Sequence, residues 1–132
     1  MVEVHGWITL RETYRVTDDE DIERIVTEIE DEIHRLAWSS ISVSVNNGQY
    51  FIEFTRYTNH LSDDVKRLIP FYEMVGRIAE GSYGLLYIHN DEDSRHYNDF
   101  VVYRLARGKV TVLQDEFLSP LIPTVEDEDV PG

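Results

Sequence analysis

The stretch Val2-Glu3-Val4-His5-Gly6-Trp7-Ile8-Thr9-Leu10-Arg11-Glu12-Thr13-Tyr14-Arg15-Val16 decides the fold. Val2, Val4, Ile8, Leu10, Tyr14 and Val16 share one parity; Glu3, His5, Thr9, Arg11, Thr13 and Arg15 share the other. Alternation with period two is the mark of a strand with one wet face, so residues 2–16 read as one long strand. Two residues stand against the pattern: Glu12 on the apolar side and Trp7 on the polar side. Gly6 is where a bulge would shift the parity locally. Trp7 is therefore either an exposed indole among polar neighbours, the form of an interface anchor, or a residue turned inward by a bulge or covered by the chain's irregular end.

Working outward, Thr17-Asp18-Asp19-Glu20 has the spacing of a capping box, and a helix is expected from there to about Trp38. Ile22, Ile25, Val26, Ile29, Ile33, Leu36 and Ala37 form its apolar stripe, opposite Glu23, Glu28, Glu30, Asp31 and Glu32. Ile41 to Val45 alternates with serines, Asn46-Asn47-Gly48 is a hairpin turn, and Tyr50 to Tyr57 returns. Ser62-Asp63-Asp64 opens a second helix that Pro70 should kink or split, with Gly76 or Gly81 ending it. Tyr83 to His89 reads as an apolar, central strand, Asn90 to Asp99 as a polar loop, Phe100 to Ala106 as a strand, Arg107-Gly108 as a tight turn and Val110 to Leu113 as a final strand. Pro120, Pro123 and Pro131 keep the end of the chain irregular. The order β-α-β-β-α-β-β-β predicts an α+β fold: a mainly antiparallel sheet of about six strands with two helices packed on one face. One domain is expected over residues 1–125, followed by a mobile acidic tail over 126–132.

The 132 residues fit one core, and their 42% hydrophobic content argues against a disordered chain. The absence of cysteine excludes a disulfide framework, a zinc-thiolate site and a thiol nucleophile. The N-terminus shows no signal-peptide pattern and no segment approaches the ~18 apolar residues of a membrane span, so a cytoplasmic location is expected, with no membrane partner. With 26 acids against 12 Lys and Arg, the net charge is −14. Such a surface repels phosphate backbones, so nucleic acid is not the expected partner, and a basic protein is.

The sequence offers little for catalysis. Gly81-Ser82-Tyr83-Gly84 lacks the spacing of a nucleophile elbow and the Lys of a P-loop, and reads as a turn whose glycines permit unusual backbone angles. His89 to His96 places two imidazoles and three carboxylates in eight positions, which raises a metal-dependent enzyme as an alternative. EF-hand spacing is missing and Arg95 opposes an ion, so a solvated acidic loop, with no metal and no cofactor, is the reading preferred. His5, His34 and His60 lie on different elements, and no catalytic residue is assigned.

Four segments resemble a known family. They are Val4-His5-Gly6-Trp7-Ile8-Thr9-Leu10-Arg11-Glu12-Thr13; Asn59-His60 with Ser62-Asp63; Gly81-Ser82-Tyr83-Gly84-Leu85-Leu86-Tyr87-Ile88 followed by Asp91-Glu92-Asp93; and Phe117-Leu118-Ser119-Pro120 continuing through Ile122-Pro123-Thr124 to Glu126-Asp127. Together they resemble the immunity protein 7 family of bacterial polymorphic toxin systems. Leu121, where a small or thiol residue is expected, and Pro70 depart from the pattern. The resemblance implies an α+β protein that binds the C-terminal toxic domain encoded beside it and neutralises it without catalysis. Nuclease toxins hold nucleic acid in basic grooves, which an acidic protein can fill. On that basis the expected partner-binding residues are Trp7 and Tyr57 as apolar anchors, Arg56, Asn59 and His60 as polar contacts, and Asp91, Glu92 and Asp93 reaching into a cleft. A nucleic-acid mimic acting on a different nuclease is the other alternative.

Overall fold

The computed structural model describes residues 1–13, 21–36 and 41–115. The expected capping box over 17–20, residues 14–16 of the expected first strand, the end of the first helix at Trp38 and the acidic tail lie outside those residues.

Six strands form one sheet in the order β2-β3-β1-β4-β5-β6, antiparallel throughout. β1 (Val2–Leu10) lies inside it, between β3 (Gln49–Thr58) and β4 (Tyr83–Asn90). β2 (Val43–Asn46) and β6 (Lys109–Gln114) are the edges, and β5 (Val101–Ala106) lies between β4 and β6. The α+β class is as expected. The two short turns close with paired left-handed residues, Asn47 at φ 52° with Gly48 at 77° and Arg107 at φ 50° with Gly108 at 75°. That geometry matches the twist of a hairpin and explains the Asn-Gly and Arg-Gly pairs.

Helices α1 (Ile22–Leu36) and α3 (Leu68–Ile78), with the single turn α2 (Asp63–Lys66), supply the other side of the core. Ile25, Val26, Ile29, Ile33 and Leu36 of α1 and Phe71, Tyr72 and Val75 of α3 are buried with Val2, Val4, Ile8 and Leu10 of β1. The exposed side of α1 carries Glu23, Glu30 and Asp31. Its bases are occupied locally: Arg24 meets Glu28 at 2.8 Å, and Arg35 pairs with Glu32.

Three local expectations are corrected. β1 ends at Leu10, well short of Val16. Its neighbour β4 begins only at Tyr83, opposite Thr9, so the ladder runs out there. The buried Ser82 hydroxyl replaces it, accepting from the Arg11 N–H at 3.1 Å and donating to the Arg11 carbonyl at 3.3 Å. Second, Gly6 makes no bulge. It pairs with Phe54 on one side and Leu86 on the other without a break in either register. A Cβ there would lie 2.3 Å from the Phe54 ring and 2.6 Å from the Tyr72 hydroxyl, so the glycine exists to admit those two groups. Third, neither Gly76 nor Gly81 ends the second helix, which runs to Ile78 with Ala79 as its cap. Gly76 instead lets α3 approach the β5–β6 turn, where a Cβ would meet the Gly108 backbone at 3.1 Å.

The expected effect of Pro70 is present. Its ring cannot accommodate the carbonyl four residues back, which belongs to Lys66, and α2 ends at Lys66. Arg67 bridges to α3. Gly84 also has a different role from the one expected. It lies within β4, where a Cβ would come within 2.0 Å of the Trp7 carbonyl oxygen, so close backbone approach is what demands it.

Candidate partner-binding surface

The unbroken register through Gly6 places Trp7 on the face of β1 opposite the core, with His5 and Thr9. The indole is 38% exposed and meets the Tyr83 ring edge-on at 6.0 Å. Two further aromatic side chains, one on β3 and one just before β5, extend this surface. Tyr57, opposite Glu3, packs edge-on to His5 at 6.2 Å, and the buried Phe100 packs against His5 at 5.8 Å and Tyr87 at 5.3 Å. The His5 ring is held at both nitrogens, by the Glu3 carboxylate at 2.8 Å and the Thr55 hydroxyl at 3.1 Å. A shallow depression lies between Trp7, Glu53, Thr55 and Tyr87.

The second feature is the end of the sheet. Val2 is opposite Thr58 on one side and Asn90 on the other, so the loops that leave β3 and β4 meet beside the start of β1. His60 Nδ1 reaches Glu92 Oε1 at 2.8 Å, and the Met1 ammonium reaches Asp91 Oδ1 at 2.7 Å. That ammonium holds the Asp91 carboxyl below its usual pKa, against a smaller opposing effect of desolvation. The loop is shaped by its own side chains: Asn90 Oδ1 accepts from the Glu92 N–H, and Asp93 Oδ1 from the Arg95 N–H. On the other loop the Thr58 hydroxyl donates to the His60 carbonyl at 2.8 Å.

Six of the eight expected residues, Tyr57, Asn59, His60, Asp91, Glu92 and Asp93, therefore lie together at this end. Trp7 shares a face with Tyr57 but sits four residues further along β1, about 13 Å away at ~3.3 Å per residue. Arg56 is opposite Val4 and half-buried, on the core-facing parity of β3, and does not join them. Tyr83, His5 and Phe100 also line this surface and were not among the expected residues. The signal for Tyr83 was present, since Tyr83, Leu85 and Tyr87 share one parity of β4 against Gly84, Leu86 and Ile88, but the strand's uniformly apolar look hides that split.

The two imidazoles of the 89–96 segment are engaged separately. His89 is buried with Nε2 2.7 Å from the Tyr97 carbonyl, and His96 Nδ1 lies 2.7 Å from Asp99 Oδ2. Among the described residues no group of three or more His, Asp or Glu side chains is placed to hold a metal ion. No helix among them is long and apolar enough to cross a membrane.

The surface is thus an aromatic face joined to an acidic, hydrogen-bonded loop end, which suits a protein partner better than a small substrate. The family model for immunity protein 7 matches residues 1–127, nearly the whole chain. The chain belongs to the immunity protein 7 family. It is accordingly an immunity protein of a toxin system, and its partner is a toxin protein. No curated protein and no solved structure matches it.

Proposed function

We propose that this immunity protein neutralises the C-terminal toxic domain encoded beside it by tight, non-catalytic binding in the cytoplasm of the cell that makes both. The toxic domain is a basic, nuclease-type protein on this reading. The observation that carries it is the family match over residues 1–127 in a chain of net charge −14. A nucleic-acid-binding groove is lined with Lys and Arg, and a surface rich in carboxylates is attracted to it over several ångströms before contact. Trp7, Tyr57, Asn59, His60 and the Asp91–Asp93 loop supply the specific contacts, while the remaining acids accelerate encounter.

The charge is distributed in a way that supports this division. The acids of α1 are spread along a solvated helix face and partly compensated by Arg24 and Arg35. Those of the 91–93 loop are fixed in position by the N-terminus, His60 and backbone turns. Preordered groups lose less entropy on binding than free side chains. Co-expression tests the reading. Cells producing the toxic domain should resume growth when the immunity protein is supplied, and continued killing with both proteins soluble would refute it.

A further inference from the structure

On the core side of the sheet, at the same end as the loop cluster, α2 and the start of α3 do not close fully over β4 and β5. The notch left between them has a volume of about 150 Å³. Its walls are apolar. Val65 is fully buried at its base, Ile69, Ile88, Val101 and Tyr103 are half-buried around it, and Leu61 stands at its mouth, 41% exposed. Its rim is polar, with Lys66, Asn90, Asp93 and His96. An apolar cavity of this volume holds one benzene-sized group.

Resting on the toxin-binding reading above, we propose that this notch is the socket for one apolar side chain of the toxin, aliphatic or phenyl, projecting from a segment rich in Lys and Arg. Two observations choose that occupant. The first is continuity. Leu61 follows His60 in the chain and Asp93 follows Glu92, so the His60–Glu92 contact forms one border of the notch and joins it to the loop cluster. The second is charge. The segments that border the notch, residues 59–67 and 90–99, carry six acids against three Lys and Arg. A second copy of this chain would bring the same acidic segments against these and be repelled. A basic partner is attracted by the acidic segments around the notch and anchored by the pocket, the arrangement of a buried anchor within a polar ring that dominates protein interfaces.

The test uses the full-length protein and the toxic domain encoded by the adjacent gene, with binding kinetics and melting temperature measured for each variant. Val101→Phe fills the notch from the strand side and should preserve or raise the melting temperature, because it removes a void. It should also weaken binding at least tenfold, mainly through faster dissociation, since loss of an anchor acts on koff. A folding defect cannot produce that pair of results. Leu61→Lys, at the exposed mouth, is the second variant and should weaken binding similarly through like charge. Glu30→Gln, on the far side of α1, makes the same single-unit charge change as a remote control and should leave koff unchanged. Wild-type protein that fails to bind the toxic domain would refute the toxin-binding reading itself. Wild-type binding with Val101→Phe and Leu61→Lys equally tight would refute the socket alone. A wild-type dimer in sedimentation that Val101→Phe converts to monomer would assign the notch to self-association and overturn the inference.

Discussion

At Gly6, the missing side chain decides how the sheet and α3 fit together. The Tyr72 hydroxyl passes through the space above Gly6 and donates to the Leu85 carbonyl at 2.9 Å. Its burial raises the phenol pKa well above the usual value, so it remains a neutral donor across the working pH range. Gly6→Ala would drive a methyl group into the Phe54 ring and that hydroxyl, and is expected to cost about 1–3 kcal/mol, as overpacking does. Urea unfolding measures it; an unchanged midpoint would mean that the Phe54 ring moves aside freely. Trp7 behaves differently, because it faces away from the core. Trp7→Ala should cost only about 1 kcal/mol of stability yet weaken toxin binding by about 2 kcal/mol or more, the scale of an interface anchor. Equal binding by the variant would remove Trp7 from the interface. The outward position of Trp7 was one of two readings open in the sequence, and the packing at Gly6 was not open at all. Period two placed Trp7 on the polar side, but Gly6 left the parity ambiguous. What fills the space above Gly6 comes from Tyr72, 66 positions along the chain.

Among the elements, strands and short turns were the legible parts. Alternation marks β1, and Asn47-Gly48 and Arg107-Gly108 mark turns because their conformations need positive φ. Pro70 announced a break in the second helix for a reason that depends only on its ring. The ends of elements were less legible. β1 stops where its partner strand begins, and Gly76 serves a contact with a turn thirty-two residues away, so both depend on tertiary context. The loop cluster has the same origin. The His60–Glu92 and Met1–Asp91 contacts follow from Val2 pairing with both Thr58 and Asn90, which spacing cannot show. Two predictions belong to this loop. Replacing Asp91, Glu92 and Asp93 by Ala should lower the association rate several-fold and flatten its dependence on ionic strength, with a smaller change in dissociation. Unchanged association kinetics would move the interface elsewhere. The Asp91 carboxyl is held below its unfolded value of about 3.9, so its pair with Met1 stabilises the fold fully above that pH and is lost as the pH falls through the lower native value. Asp91→Asn should therefore make stability less steeply dependent on pH in the acid range. Unfolding curves between pH 2 and 6 that superimpose in slope would contradict this.

For the whole molecule, the excess of acids is the property that links sequence to function. A net charge of −14 exceeds the magnitude of roughly 2–8 that keeps a small domain soluble, and it opposes compactness through self-repulsion. On the proposed reading, this immunity protein offsets that cost by meeting a basic toxin quickly. The sheet is backed by a single hydrophobic core, and the 91–93 loop at its end is tied to the N-terminus and to His60. Encounter should accordingly slow as salt is added while the dissociation rate changes little.

The most direct test titrates the purified protein into the toxic domain encoded by the adjacent gene and follows the toxin's activity, a nuclease activity on the proposed reading. Neutralisation by binding predicts a linear fall to zero at one molar equivalent, with unmodified toxin recovered on dissociating the complex. Toxin that stays active in excess protein, or that is inactivated by a small fraction of an equivalent through turnover, would contradict it.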